Sequence, residues 1–292
     1  MNDEAFSSFS SQRPVALIDL VETKTPEANR AFVTKVTQLA EESGGQRVLA
    51  NEAIVPMIVP DERASKPDHA TGLLVVTQYP TPQAGRSALA KREEWGPELD
   101  TDPIRTYTAR PVAGIESLVE RALPSALGLL GRKPVPKIDG AQKLRALIDA
   151  ALILGEQPDE TRWAELAKRA GDRPIWMLNF LEFAETAVYT QDAQDVAPLT
   201  KISGAAAYQL YGRGMIGTLG AVGGRIGWSS RSIGALPGTD DGNWHQVAIA
   251  VYPSQAAMMT MLSQPKYRAA HVHRAAALAR TRLLATQPIE GL

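Results

Sequence analysis

The chain has 292 residues, of which 44% are hydrophobic and 22% charged, and its formal net charge is −1. This balance is typical of a globular protein, and the near-neutral charge argues against nucleic acid or an anionic membrane surface as a partner. The sequence contains no cysteine, which excludes disulfides, thiol nucleophiles and cysteine-ligated metal centres.

Residues 1–13 are rich in serine and begin with an acidic stretch, without the cationic and apolar regions of a secretory signal. We therefore expect a flexible tail and a cytoplasmic location. No uninterrupted apolar run approaches the ~20 residues that a membrane-spanning helix needs. The apolar stretch from Leu123 to Leu130 is broken by Pro124 and Gly128, which predicts a packed connector, with a membrane-surface anchor as the alternative.

Residues 14–110 predict six elements in the order strand, helix, strand, strand, helix, strand. The apolar run 15–21 predicts the first strand, and Gly44-Gly45 ends the helix that follows it. Pro80 stops the third strand, and Thr81-Pro82 is typical of a helix start. A last strand is expected at about 104–110.

Residues 111–173 interrupt this pattern with two or three predicted helices and form a helical connector. The segment from Gly131 to Lys137 predicts a linker, because two prolines and three cations resist both helix and sheet. A strong helix is expected over 141–154. One face of this helix carries an apolar stripe through which two copies of the chain could form a homodimer. The stripe consists of Leu144, Leu147, Ile148, Ala151 and Leu152.

Residues 174–292 repeat the plan of residues 14–110, starting with the apolar run 175–181 and including a second pair, Gly223-Gly224. A strand–helix–strand–strand–helix–strand unit forms a four-stranded antiparallel sheet with both helices on one face. The sequence thus predicts an α+β fold of two ferredoxin-like βαββαβ repeats. Their antiparallel sheets would pack face to face, with the ligand cavity between them.

Several motifs follow one another in the second repeat. They are Pro174-Ile-Trp-Met-Leu-Asn179-Phe180, Tyr208-Gln-Leu-Tyr211-Gly212, Gly223-Gly224-Arg225, Trp228, Trp244, Tyr252-Pro253-Ser254 and Pro265-Lys-Tyr267. Together they resemble the dimeric α+β barrel superfamily and, within it, domain-of-unknown-function family 1330. The first repeat resembles it weakly, through Gly44-Gly45 and Tyr79-Pro80-Thr81, which favours a tandem repeat with a degenerate first copy.

The resemblance implies barrel pairing of ferredoxin-like sheets. The wider superfamily includes cofactor-independent monooxygenases, muconolactone-type isomerases, dehydratases and haem enzymes, so the fold leaves the reaction open. A small-molecule enzyme without a cofactor is one hypothesis, of the isomerase or monooxygenase type. A non-catalytic module that binds a ligand or a protein is the second, and a haem-binding barrel is the third.

Three residues are candidates for catalysis. Asp19 and Asn179 hold the same position in the two matched apolar runs, and a polar group buried there must be paired. We expect both to face the barrel interior, where they contact ligand or form a hydrogen bond between the sheets. His245 lies at the head of a predicted strand. Histidine is the side chain whose ordinary pKa suits acid–base chemistry at neutral pH, so His245 is a candidate general acid or base, with a hydrogen-bonded rim histidine as the alternative.

Three further residues are candidates for substrate binding in the second repeat. Arg225 could hold a carboxylate, although a solvated strand-edge arginine is the default for such a position. Tyr208 and Trp228 could wall an apolar pocket, although aromatic residues at such positions more often belong to the core. We expect the principal cavity near these residues, Asn179 and His245.

Two other motifs do not predict a site. Gly212-Arg-Gly214-Met-Ile-Gly217 has the spacing of a dinucleotide site, but a helical stretch precedes it where such a site needs a strand. His271 and His273 lie two apart on a predicted helix, which points their imidazoles in different directions and argues against a shared metal ion. One of them lining the cavity and an ordinary surface or capping role are the alternatives. We therefore expect neither a cofactor nor a metal.

Overall fold

The computed structural model describes residues 13–22, 25–58, 72–92, 105–112, 160–235 and 243–291, with residues 95, 122–123, 126 and 145. The strands are β1 (Val15–Glu22), β2 (Gln46–Ile58), β3 (Gly72–Tyr79), β4 (Arg105–Pro111), β5 (Ile175–Phe183), β6 (Arg225–Ala235), β7 (Gln246–Tyr252) and β8 (Leu278–Pro288). The helices are α1 (Pro26–Glu42), α2 (Pro82–Arg92), α3 (Glu160–Ala170), α4 (Gly204–Ala221), α5 (Gln255–Leu262) and α6 (Pro265–Ala277). The helix predicted over 141–154 and its apolar stripe lie outside the described residues.

Local sequence signals account for the ends of these helices. The side chains of Thr25, Ser203 and Ser254 accept hydrogen bonds from backbone N–H groups in the first turns of α1, α4 and α5. Gly44 and Gly223 have φ angles of 72° and 77° and follow α1 and α4, where a side chain would strain the backbone. These signals explain why the element order predicted from the sequence is observed.

The eight strands form one closed barrel in the order β1-β3-β2-β8-β5-β7-β6-β4, and the eight strand pairs are antiparallel. The two four-stranded sheets are hydrogen-bonded to each other through β2–β8 and β4–β6. This differs from two separate sheets packed face to face. The physical reason is that closure pairs the backbone groups that four edge strands would otherwise expose.

The barrel interior contains a hydrophobic core that both halves of the chain build. Alternate residues of the strands face inward, among them Tyr107, Phe180 and Trp228, and the ring of Trp244, just before β7, packs with them. Tyr107 and Phe180 are in contact across the interior, with ring centroids 4.9 Å apart. The sequence predicts the ligand cavity in this space, but the cavity lies on the outer face of the sheet, beneath helices α4 to α6.

The helices cover the outside of the barrel. Helices α1 and α2 pack on β1, β2 and β3, and α3 packs on β2, whereas α4 to α6 pack on the strands of the second half. Within the part of the chain that the structure describes, no helix is long and apolar enough to cross a membrane.

The glycine motif of residues 212–217 lies inside α4, where it allows close packing of two helices. A Cβ atom on Gly214 would come within 2.6 Å of the Cβ atom of Ala270 on α6. No strand leads into the motif, so its surroundings do not match those of a dinucleotide site.

Replacing Gly214 with alanine should therefore lower the free energy of unfolding by about 1–3 kcal/mol, because the new methyl group overfills the contact between α4 and α6. Gly217 is the matched control, since a Cβ atom there meets nothing within 4 Å. Gly217→Ala should stabilise the helix by about 0.5–1 kcal/mol. Urea denaturation of both variants measures the difference, and equal effects would contradict the packing role.

Candidate functional site

A cavity of about 620 Å³ lies between the outer face of β5, β7 and β6 and the helices α4, α5 and α6. The first half of the chain also reaches it, through Ile58 at the end of β2 and Arg110 on β4. Helix α3, from the connector, contributes Trp163. The site therefore belongs mainly to the second half, but the other parts of the chain complete its walls.

Aromatic side chains form a continuous wall of this cavity. Successive ring centroids are 5.2 Å apart for Tyr208 and Tyr211, 6.2 Å for Tyr211 and Tyr267, and 5.7 Å for Tyr267 and His271. Burial raises the pKa of each tyrosine above its ordinary value of 10, although the nearby Arg274 cation acts in the opposite direction. Their hydroxyl groups therefore stay protonated at neutral pH and can donate hydrogen bonds.

His271 is the buried imidazole of the cavity, with 3% of its surface exposed. Burial, and then the charge of Arg274, lower its pKa from 6.5 to about 4. The ring is consequently neutral at pH 7, and one of its nitrogens can accept a proton. His273, two residues further along α6, is separate from it and forms a 2.8 Å hydrogen bond with the hydroxyl of Tyr189.

The charged lining of the cavity is cationic. Arg110, Arg231 and Arg274 line it, and no aspartate or glutamate is found among the described lining residues. Arg110 and Arg231 lie directly opposite each other in the β4–β6 ladder, a like-charge pairing that costs stability. Arg274 is buried and donates a 3.3 Å hydrogen bond to the hydroxyl of Thr281. This distribution of charge favours an anionic ligand.

Three of the six candidate residues line this cavity: Asn179, Tyr208 and His245. The amide nitrogen of Asn179 donates to the carbonyl oxygens of Met177 (3.0 Å) and Ala248 (3.4 Å). His245 is exposed at the cavity rim, and its Nδ1 accepts a 2.9 Å hydrogen bond from the backbone N–H of Phe183. That geometry matches the alternative of a hydrogen-bonded rim histidine.

The structure places Asp19 away from the cavity and contradicts its expected position in the barrel interior. Ile18 of β1 faces the interior, so Asp19 points to the opposite side, toward the helices. There Arg92 Nη1 donates to both carboxylate oxygens at 2.8 and 2.9 Å, and the hydroxyl of Thr106 donates at 2.7 Å. Asp19 is thus a fully buried structural carboxylate. The same alternation puts Asn179 on the helix-facing side of β5, against expectation.

The other two candidates also lie outside the cavity lining. Arg225 is exposed, and its guanidinium lies over the Trp176 ring at 5.6 Å from the centroid. Trp228 belongs to the core of the barrel interior. The reason is a β-bulge between Ile226 and Trp228, which reverses the alternation, so that Ile226 lines the cavity and Trp228 points the other way.

The structure brings together Tyr267, His271 and Arg274. Tyr267 and Arg274 are not among the candidate site residues predicted from the sequence, and His271 is considered there only as one of two histidines that could line the cavity. The spacing of the three residues, i, i+4 and i+7, places them on one face of a helix, and this pattern is visible in the sequence alone. Trp163 gave no comparable signal, because its helix was expected only to connect the two repeats.

Comparisons with known proteins find similarity to solved structures. No family model matches the chain, and no curated protein matches it either. The RPA0582 protein of Rhodopseudomonas palustris, described as a protein of unknown function, is 33% identical, and the match covers 46% of this chain and 95% of that one with a TM-score of 0.40. This chain belongs to the same family as RPA0582. The similarity to RPA0582 indicates no activity for this chain, and the match covers less than half of its residues.

A second solved structure matches at much lower identity. Chlorite dismutase from Candidatus Nitrospira defluvii is 13% identical over 98% of this chain and 96% of that one, with a TM-score of 0.38. A match at this level carries no function to the present chain. The more specific placement in family 1330 stays a prediction.

Proposed function

We propose that this chain binds a small aromatic molecule with an acidic group in the cavity between the second half of the barrel and helices α4 to α6. The observation that carries this proposal is the combination of an aromatic wall with three arginines and no described carboxylate in the lining. A volume of about 620 Å³ lies within the range of small-molecule sites. The apolar walls would hold the ring, and the cations would hold the acid.

The same groups suit a cofactor-independent enzyme of the isomerase or monooxygenase type. His271 is unprotonated at pH 7, because burial lowers its pKa to about 4, and it is therefore a weak base that would take a proton only from an acidic carbon or hydroxyl of the ligand. The hydroxyl groups of Tyr211 and Tyr267 and the charge of Arg274 would stabilise the enolate or phenolate that forms. Return of the proton at another carbon completes an isomerisation, whereas addition of dioxygen to the anion begins an oxygenation.

The repeat architecture is part of the same proposal. The strand order β4-β1-β3-β2 in residues 14–110 and β8-β5-β7-β6 in residues 174–292 is the same order in both halves, which supports two ferredoxin-like units. Residues 111–173 would then join a first unit with a structural role to a second unit that holds the site.

A calorimetric titration with 2-naphthoate and with 2-naphthalenemethanol, its neutral analogue, tests the binding. We expect the carboxylate to bind about tenfold more tightly than the alcohol, because an ionic hydrogen bond is lost with the charge. Arg231→Gln should remove about this tenfold advantage. Arg225→Gln is the matched control on the same strand and should leave it unchanged, since Arg225 lies outside the cavity lining. Equal affinity for both compounds would contradict an anionic ligand.

Two further measurements separate the alternatives. In the first, a small amount of the protein is incubated with a large excess of a compound that it binds, and the NMR spectrum of the compound is followed over time. A spectrum that stays unchanged would favour a non-catalytic binding module. The haem hypothesis draws on the neutral His271 in the cavity, which is of the right type for an iron ligand. A Soret band that develops when haemin is titrated into the protein, and is lost in His271→Gln, would favour haem binding.

A further inference from the structure

Trp163 is a buried hydrogen-bond donor that lines the cavity. Only 1% of its surface is exposed, and its indole Nε1–H has no hydrogen-bond partner among the described residues. An unpaired buried donor costs about 1–3 kcal/mol, so such groups are rare in folded proteins and call for an explanation. A ligand oxygen in the cavity would supply the missing partner.

Helix α3 holds this indole in a fixed place, because it is anchored to both halves of the chain. Arg162 donates to the carbonyl oxygen of Met57 on β2 at 3.0 Å. Gln255 of α5 donates to the carbonyl oxygen of Trp163 itself at 3.4 Å. Gln287 of β8 donates to the carbonyl oxygen of Ala170 at 3.0 Å. The helix therefore presents the ring as a rigid part of the wall.

The indole and the opposed arginines lie toward opposite edges of the four-stranded sheet β8-β5-β7-β6. Helix α3 packs on β2, which borders β8, whereas Arg110 and Arg231 face each other across the seam between β4 and β6. A ligand whose acid contacts these arginines would extend its other end toward Trp163.

We infer that Trp163 contacts the ligand directly and donates its indole N–H to an ether or carbonyl oxygen on the end of the aromatic molecule opposite the acid. This inference rests on the proposed function and narrows it to aromatic anions with a hydrogen-bond acceptor at the far end. It also gives the connector helix a role in specificity.

The test compares 6-methoxy-2-naphthoate with 6-ethyl-2-naphthoate, which differ by one ether oxygen in place of a methylene group. The wild-type protein should bind the methoxy compound about fivefold more tightly, the usual effect of one hydrogen bond. Trp163→Phe keeps an aromatic ring but removes the N–H, and it should bind the two compounds equally.

An NMR measurement on the wild-type protein covers the case in which Trp163→Phe does not fold. The five tryptophans give five indole N–H signals. The signal of Trp163 is the one that is missing from the spectrum of another substitution at this position that stays soluble. This signal should move downfield with the methoxy compound and not with the ethyl compound. If both compounds bind with equal affinity and shift it equally, the inference is overturned while the proposed function stands. If neither binds, both are overturned.

Discussion

Replacing Asp19 with alanine is expected to lower the free energy of unfolding by about 3–5 kcal/mol, the usual cost of breaking a buried ion pair from one side. Asp19 is fully buried, and the Arg92 side chain is 7% exposed, so water cannot replace the lost carboxylate. The substitution leaves the guanidinium of Arg92 buried without its counterion. Thr106 loses the acceptor of its 2.7 Å hydrogen bond as well.

Chemical denaturation of matched variants checks this expectation. Glu182→Ala breaks a pair of the same length, 2.8 Å to Arg280, but in a partly exposed position, and it should cost less than about 1 kcal/mol. The double variant Asp19→Leu with Arg92→Met should recover most of the lost stability, since it removes both charges. A cost for Asp19→Ala no larger than that for Glu182→Ala would contradict the structural role.

The ion pair marks a difference between the two halves of the chain. Asp19 on β1 and Asn179 on β5 occupy corresponding positions and both point toward the helices. In the first half, Arg92 of α2 reaches Asp19 and forms a buried ion pair between sheet and helix. In the second half, Asn179 binds only neighbouring carbonyl oxygens among its described contacts, and the cavity opens beside it.

The element order could be predicted because its determinants are local. The run 15–21, the glycine pairs and Pro265, which separates α5 from α6, each act within a few residues of the chain. Closure of the barrel could not be predicted in the same way. It depends on which edge strands meet, and the pairings β2–β8 and β4–β6 join segments far apart in sequence.

The site was harder to predict, because the face of a strand decides what a side chain contacts. The runs that contain Asp19 and Asn179 are apolar on both faces, so alternation gives no polar side from which to read their direction. The bulge near Trp228 reverses the alternation on β6 without a clear sequence signal. The helical spacing of Tyr267, His271 and Arg274 was the most informative signal available for this cavity.

Stability should fall in acid partly because of His271. In the folded protein its pKa is about 4, whereas an exposed histidine has a pKa of 6.5. Between these values the unfolded chain binds a proton that the folded chain does not, so the free energy of unfolding decreases as the pH falls from 6.5 to 4. The contribution of His271 is up to about 3 kcal/mol, and it levels off below pH 4.

His271→Gln should remove this part of the acid destabilisation, because glutamine does not titrate. Arg274 and the tyrosines at 208, 211, 252 and 267, which line the same cavity, stay in one protonation state from pH 4 to 7. The half-buried His273 is the matched control on the same helix, and His273→Gln should change the pH dependence much less. Denaturant titrations at pH 7 and pH 4.5 measure the difference. A wild-type loss of stability that persists unchanged in His271→Gln would show that this imidazole is not held neutral by the cavity.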